Sequence, residues 1–142
     1  MSRFAFYHDA ALTLPVSGAN PLVCRRNSAG TVDASCYLGE PADGYVLEDA
    51  TNPGVDPNVV SIADLVAAAG VEPTDIVLAL SQAELATNIA GADLEIGAQV
   101  FSLAANAVEI WLRVDNQALA AGGSDIGNLS IYLLSSDWRE AA

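Results

Sequence analysis

The chain has no lysine and only one histidine, His8, and its five arginines stand against 18 acidic residues, giving a formal net charge of −13. A surface of that sign repels phosphate backbones and anionic bilayers at long range, and five scattered arginines do not build the basic patch that nucleic acid requires. Nucleic acid is therefore set aside as a partner. Long apolar runs are missing too: LVAAAGV at 65–71 falls far short of the roughly 18 residues that a membrane-spanning helix needs. No membrane partner is expected. The opening MSRFAFYHDA has neither the apolar stretch nor the small-residue cleavage site of a secretory signal, so secretion is unsupported.

Cysteine is scarce as well, with only Cys24 and Cys36. They flank a polar loop, LVCRRNSAGTVDASCYL, and two readings stay open: a disulfide across a hairpin, or two half-buried thiols. A turn centred on NSAG pairs Cys24 with Asp33 instead, so a disulfide needs a bulge or a longer loop. Two cysteines and one histidine do not make a four-ligand zinc pattern. Catalytic constellations are equally thin: His8 sits beside Asp9 with no serine placed against it, no GxSxG elbow occurs, and GGSDIGN at 122–128 lacks the lysine and the βαβ setting of a phosphate loop. Neither catalytic residues nor a cofactor are expected, and the chain is read as a non-enzyme.

What is present is a β pattern. A length of 142 residues is the usual size of one domain and suffices to bury roughly 70% of the surface that the unfolded chain exposes. The clearest alternation is AVEIWLRV at 107–114, with Val108, Ile110, Leu112 and Val114 on one face and Glu109, Trp111 and Arg113 on the other. Trp111 on the polar face packs under a neighbouring loop or serves a contact surface. Further strands are expected at FAFY 4–7, ALTLPV 11–16, PLVCR 21–25, ASCYL 34–38, GYVLEDA 44–50, NVVSI 58–62, IVLAL 76–80, LEIGAQVF 94–101 and LSIYLL 129–134. NQALAAGGSDIGN reads as a long loop before the last of these. Short strands punctuated by turn signals every 8 to 12 residues predict an all-β fold: a single antiparallel β-sandwich of Ig-like or Greek-key type spanning 1–142, with one or two short helical turns. One turn is expected at SQAE, where Ser81 and Glu84 match a capping box and Gly91 could end the helix. SIADLVAAAG at 61–70 reads as strand first, then loop or helical turn. Residues 1–10 read as an N-terminal arm and 135–142 as a C-terminal tail.

The acids of one stretch form the best candidate for a cation. Glu48, Asp49 and Asp56, with Asp43, Asn52 or Asn58 as further ligands, surround TNPGVDPNVV, and calcium tolerates irregular oxygen-rich loops. The spacing fits no EF-hand. The competing reading makes Pro53–Gly54 a tight turn with solvated acids.

Three phrases carry a resemblance: DATNPGVDPNVVSIAD, DIVLALS and LEIGAQVFSLAANAVEIWLRVD. Together with the small acidic format they resemble the β-sandwich structural proteins of tailed-phage virions, such as head decoration (cement) proteins and related neck, tail or baseplate components. The similarity covers roughly residues 37–134. It implies a virion protein, assembled in the host cytoplasm, that binds other virion subunits, the major capsid protein first, with a homo-oligomer left open. An Ig-like carbohydrate- or surface-binding module is the alternative from another class, with Trp111, Tyr132 and Tyr45 as stacking platforms. The expected interface residues are Arg3, Phe4, Phe6, Tyr7, Trp111, Trp138 and Arg139, because large aromatics near chain ends bury themselves on the body or in a partner.

Overall fold

A computed structural model describes residues 3–16, 24–25, 31–63, 76–115, 125–126 and 130–141. These residues form twelve strands: β1 (Ala5–Tyr7), β2 (Cys24–Arg25), β3 (Thr31–Gly39), β4 (Tyr45–Asp49), β5 (Val59–Ala63), β6 (Ile76–Ala79), β7 (Leu94–Glu95), β8 (Val100–Phe101), β9 (Val108–Asp115), β10 (Asp125–Ile126), β11 (Ser130–Leu134) and β12 (Ser136–Glu140). All the pairings are antiparallel. Helix is confined, among the described residues, to two 3₁₀ turns, Ala83–Ala86 and Ala104–Asn106. The all-β antiparallel sandwich expected from the alternation is the fold observed.

One layer is the four-stranded sheet β1-β3-β9-β6. Its inner face follows from period-two alternation: Cys36 and Leu38 on β3, Ile110 and Leu112 on β9, and Ile76 and Leu78 on β6 are all buried. β6 is buried on both faces, since the first 3₁₀ turn lays Leu85 over Val77, Ala79 and Trp111. The other layer comprises β11-β5-β7 and β12-β4-β8. It supplies Leu47, Val60, Leu94 and Val100, and Ile96 beside them, to a core shared with the first sheet and with Phe4. Burying each such aliphatic side chain contributes about 2 kcal/mol against the unfolded chain.

The two three-stranded sheets of this second layer lie end to end. Only Ser135, at φ 64°, separates β11 from β12, while Ile96–Gln99 separates β7 from β8. At this seam the Asn58 side chain is fully buried. Its Nδ2 donates to Leu47 O at 3.1 Å and to Gly97 O at 3.0 Å, and its Oδ1 accepts from Ser136 Oγ at 2.7 Å. The Asn58 backbone adds N–H to Gly97 O at 2.8 Å and accepts from Ile96 N–H at 2.9 Å. Gly97 can receive both bonds because it sits at φ 106°, a left-handed conformation that side chains resist.

Several expected elements differ. ALTLPV is no strand: Asp9 accepts from the amides of Thr13 and Leu14 and from the Thr13 hydroxyl, curling the chain into a turn that buries Leu12 at φ 58°. Only Pro15 bridges back, to Tyr7. LEIGAQVF breaks into β7 and β8 because Gly97 turns the chain. The expected tail at 135–142 contains β12, paired with β4 from Ser136↔Asp49 to Glu140↔Tyr45. The expected N-terminal arm likewise enters the sheet, with Phe4 buried and β1 paired to β3. Half of the capping box forms, Glu84 N–H donating to Ser81 Oγ at 3.3 Å, but the turn ends well before Gly91, whose amide binds Ile76 O. SIADLVAAAG begins as β5, and residues 64–70 lie outside the described residues, as do NSAG and 21–23. Within the expected 116–128 loop, Asp125 and Ile126 form β10 against Arg25 and Cys24. Opposite Cys36 in register stands Ile110, not Cys24.

Asn58→Ala removes at once three side-chain hydrogen bonds, one buried and two part-buried. We expect it to destabilise the protein by about 3 kcal/mol in urea denaturation, well above the roughly 1 kcal/mol of a single hydrogen bond.

Candidate functional site

β12 and β4 carry Glu48, Asp49, Trp138 and Arg139 among the residues singled out from the sequence. Trp138 stands directly opposite Leu47, so both side chains share the core-facing side with Tyr45, two residues along β4. The Tyr45 and Trp138 rings meet edge to face, with centroids 5.5 Å apart and planes at 81°. The Arg3 guanidinium lies 3.9 Å from the Tyr45 ring centroid and 5.5 Å from that of Trp138, with its Nε 3.9 Å from Glu40 Oε2. A cation over two rings contributes about 1 kcal/mol at a partly exposed site. Residue 3 is thus pinned to residue 138.

Of the acids read as calcium candidates, Glu48 lies on the opposite face of β12-β4, whereas Asp49 ends β4 and Asp56 lies in the loop that follows. Glu48 is 6% exposed and pairs with Arg139, which is 53% exposed, while Gln99 Nε2 donates to its other oxygen at 3.1 Å. A Cβ at Gly54 would stand 3.0 Å from Glu48 Oε2, so the 51–56 loop closes directly over the acid. Asp49 is occupied in shaping that loop: its Oδ2 accepts from the amides of Thr51 and Asn52 at 2.9 and 2.8 Å. Asp56 is exposed and Asn58 faces the seam. A guanidinium therefore stands where a cation would be needed, and the candidate ligands point to separate tasks. Among the described residues no three His, Cys, Asp or Glu side chains form a group able to hold a metal ion. Asp137, Trp138 and Arg139 join Glu48, Asp49 and Pro53 around a shallow depression of about 160 Å³.

The other interface candidates lie in the β1-β3-β9-β6 sheet. Phe4 is buried and Phe6 half-buried against the core, so neither forms a surface. Tyr7 pairs with Tyr37 on the outer face. Trp111 packs on Val77, Ala79 and Leu85, the under-loop position that its place on a polar face allowed. Trp111 and Tyr45 therefore belong to different clusters, and the stacking trio with Tyr132 shares no single packing cluster. On the same outer face Arg113 grips Asp33 with two bonds, Nε to Oδ1 at 2.7 Å and Nη2 to Oδ2 at 3.1 Å. That hydrogen bonding holds the Asp33 carboxyl below the usual carboxylate range, against the opposing effect of burial, with Gln82 adding to it. A depressed folded-state value stabilises above the unfolded pKa of about 3.9 and is lost as pH falls through the folded one.

The pairing of Asp33 with Arg113 was readable only once β3 was known to extend back to Thr31. Asn58 carried no local signal, because Asn after Pro reads as a turn residue. No family model, curated protein or solved structure matches the chain. No helix among the described residues is long and apolar enough to cross a membrane.

Arg139→Ala leaves the buried Glu48 without its counter-charge. Because Arg139 is itself half in water, we expect a loss of about 2 kcal/mol at pH 7 in urea denaturation, less than for a fully buried pair. Adding Glu48→Gln in that background should restore about half of it, since the uncompensated charge then disappears.

Proposed function

We propose that this protein is a non-enzymatic structural subunit of a tailed-phage virion, most simply a decoration protein that binds the shell of major capsid protein after assembly in the host cytoplasm. The observation that supports it is where the ionic side chains go. Arg3, Arg113 and Arg139 are each paired with a carboxylate inside the framework, and Asp9 and Asp49 fix turns. These five charged groups serve the framework, which supports a reading in which function resides in the surface.

The edge at β12 favours attachment by a face over attachment by strand addition there. At β12 the Trp138 amide donates to Asp137 Oδ1 at 2.8 Å and Arg139 Nη1 donates to Glu140 O at 3.1 Å. Backbone groups of an edge strand that are held by its own side chains are poor templates for a further strand. A neck, tail or baseplate role would use the same surfaces and differs only in the particle bound.

The test is co-sedimentation with purified phage particles separated into heads and tails. The protein is expected in the head fraction, with shells lacking it opening at lower temperature. Recovery only with tails would move it to the neck, tail or baseplate class, and recovery with neither would overturn the virion reading.

A further inference from the structure

The outer face of the β1-β3-β9 sheet has a composition that the framework does not explain. Directly opposed residues share a face, so the register sets Tyr7, Tyr37 and Glu109 in one row across the three strands, with Ser35 and Trp111 in the next row on β3 and β9. Neighbouring strands lie about 4.8 Å apart, so the first row is about 10 Å long. All five side chains are half-buried, so each keeps part of its surface accessible. Tyr37 OH donates to Glu109 Oε2 at 2.8 Å, which fixes the carboxylate beside the ring. The same bond, with burial next, raises the Tyr37 phenol pKa, while burial, then Glu40 and Asp9, raise that of Tyr7. Carboxylates thus contribute at both phenols, Glu109 at Tyr37 and, after burial, Glu40 and Asp9 at Tyr7.

Charge complementarity selects the occupant. The chain carries a net charge of −13, and Arg113, next to Trp111 on this face, is neutralised by Asp33. An aromatic ring flanked by a carboxylate favours a guanidinium or ammonium lying over it. The molecule uses that combination on itself, with Arg3 over Tyr45 beside Glu40. We propose that the Tyr7–Tyr37–Glu109 row is the docking site for an arginine- or lysine-bearing segment of a partner protein, with a cation over the tyrosine rings and beside Glu109. The proposal rests on the reading of the chain as a subunit-binding protein and names the face and the partner chemistry.

The test uses the full chain, isotope-labelled, titrated with a nona-arginine peptide in physiological salt and, separately, with a neutral malto-oligosaccharide. Peptide-induced amide shifts are expected to centre on β1, β3 and β9. Glu109→Gln, which keeps an acceptor for the Tyr37 hydroxyl, should weaken peptide binding about five-fold, whereas Asp56→Asn, an equal change of charge on an exposed loop, should alter it by less than about two-fold. Equal weakening by both variants, shifts centred elsewhere, no peptide binding, or shifts on this row caused by the oligosaccharide and not by the peptide would each overturn the proposal. Particle co-sedimentation is independent of this titration, so either can fail alone.

Discussion

The fully buried side chain of Asn58 is the constraint on which the second layer depends. Three strands there would otherwise end where three others begin, at Ser135, at Ile96–Gln99 and at the corner before Val59. Breaking three strands together would strand backbone donors and acceptors away from water, each costing about 1–3 kcal/mol if left unpaired. One carboxamide, with two donors and an acceptor, reaches β4, the β7–β8 link and β12 simultaneously. The layer can therefore bend over the core of the first sheet without losing its continuity. An apolar residue of similar size could fill the space but could not make those bonds.

Around that seam the charged residues serve the same end. Glu48 is buried under the 51–56 loop and compensated by Arg139 from β12, so a single ion pair ties the corner to the last strand. Arg3 closes the opposite side over Tyr45 and Trp138. Both chain ends are thus fixed to β4 or its neighbour. With these arginines each paired, the excess of 18 acidic residues over five arginines is the basis of the cationic partner proposed above.

Much of the fold was legible because it depends on local alternation. AVEIWLRV, LSIYLL, GYVLEDA and IVLAL each gave their strand to within a residue or two, since one face must be apolar to build the core. The failures have physical causes of longer range. SDWRE looked like a tail because Arg139 pairs with Glu48 and Trp138 packs on Tyr45 and beneath Arg3, none of which is near it in sequence. LEIGAQVF looked continuous because nothing local shows that Gly97 turns beside Asn58. ALTLPV alternates well, yet Asp9 captures the backbone first. The candidate site was legible only in part: Arg3, Trp138 and Arg139 were found as isolated residues, while Tyr45, Glu40 and Tyr37, which give them or their neighbours a partner, depend on strand register.

If Asn58 binds the seam, β11-β5-β7 and β12-β4-β8 unfold as one cooperative layer. Native-state hydrogen exchange in increasing urea tests it most directly, comparing the wild type with Asn58→Ala. Amides of β5 and β4 are expected to open with one shared free energy and urea dependence in the wild type and to separate into two in the variant. Separate openings in the wild type, or a shared opening that survives in the variant, would contradict it.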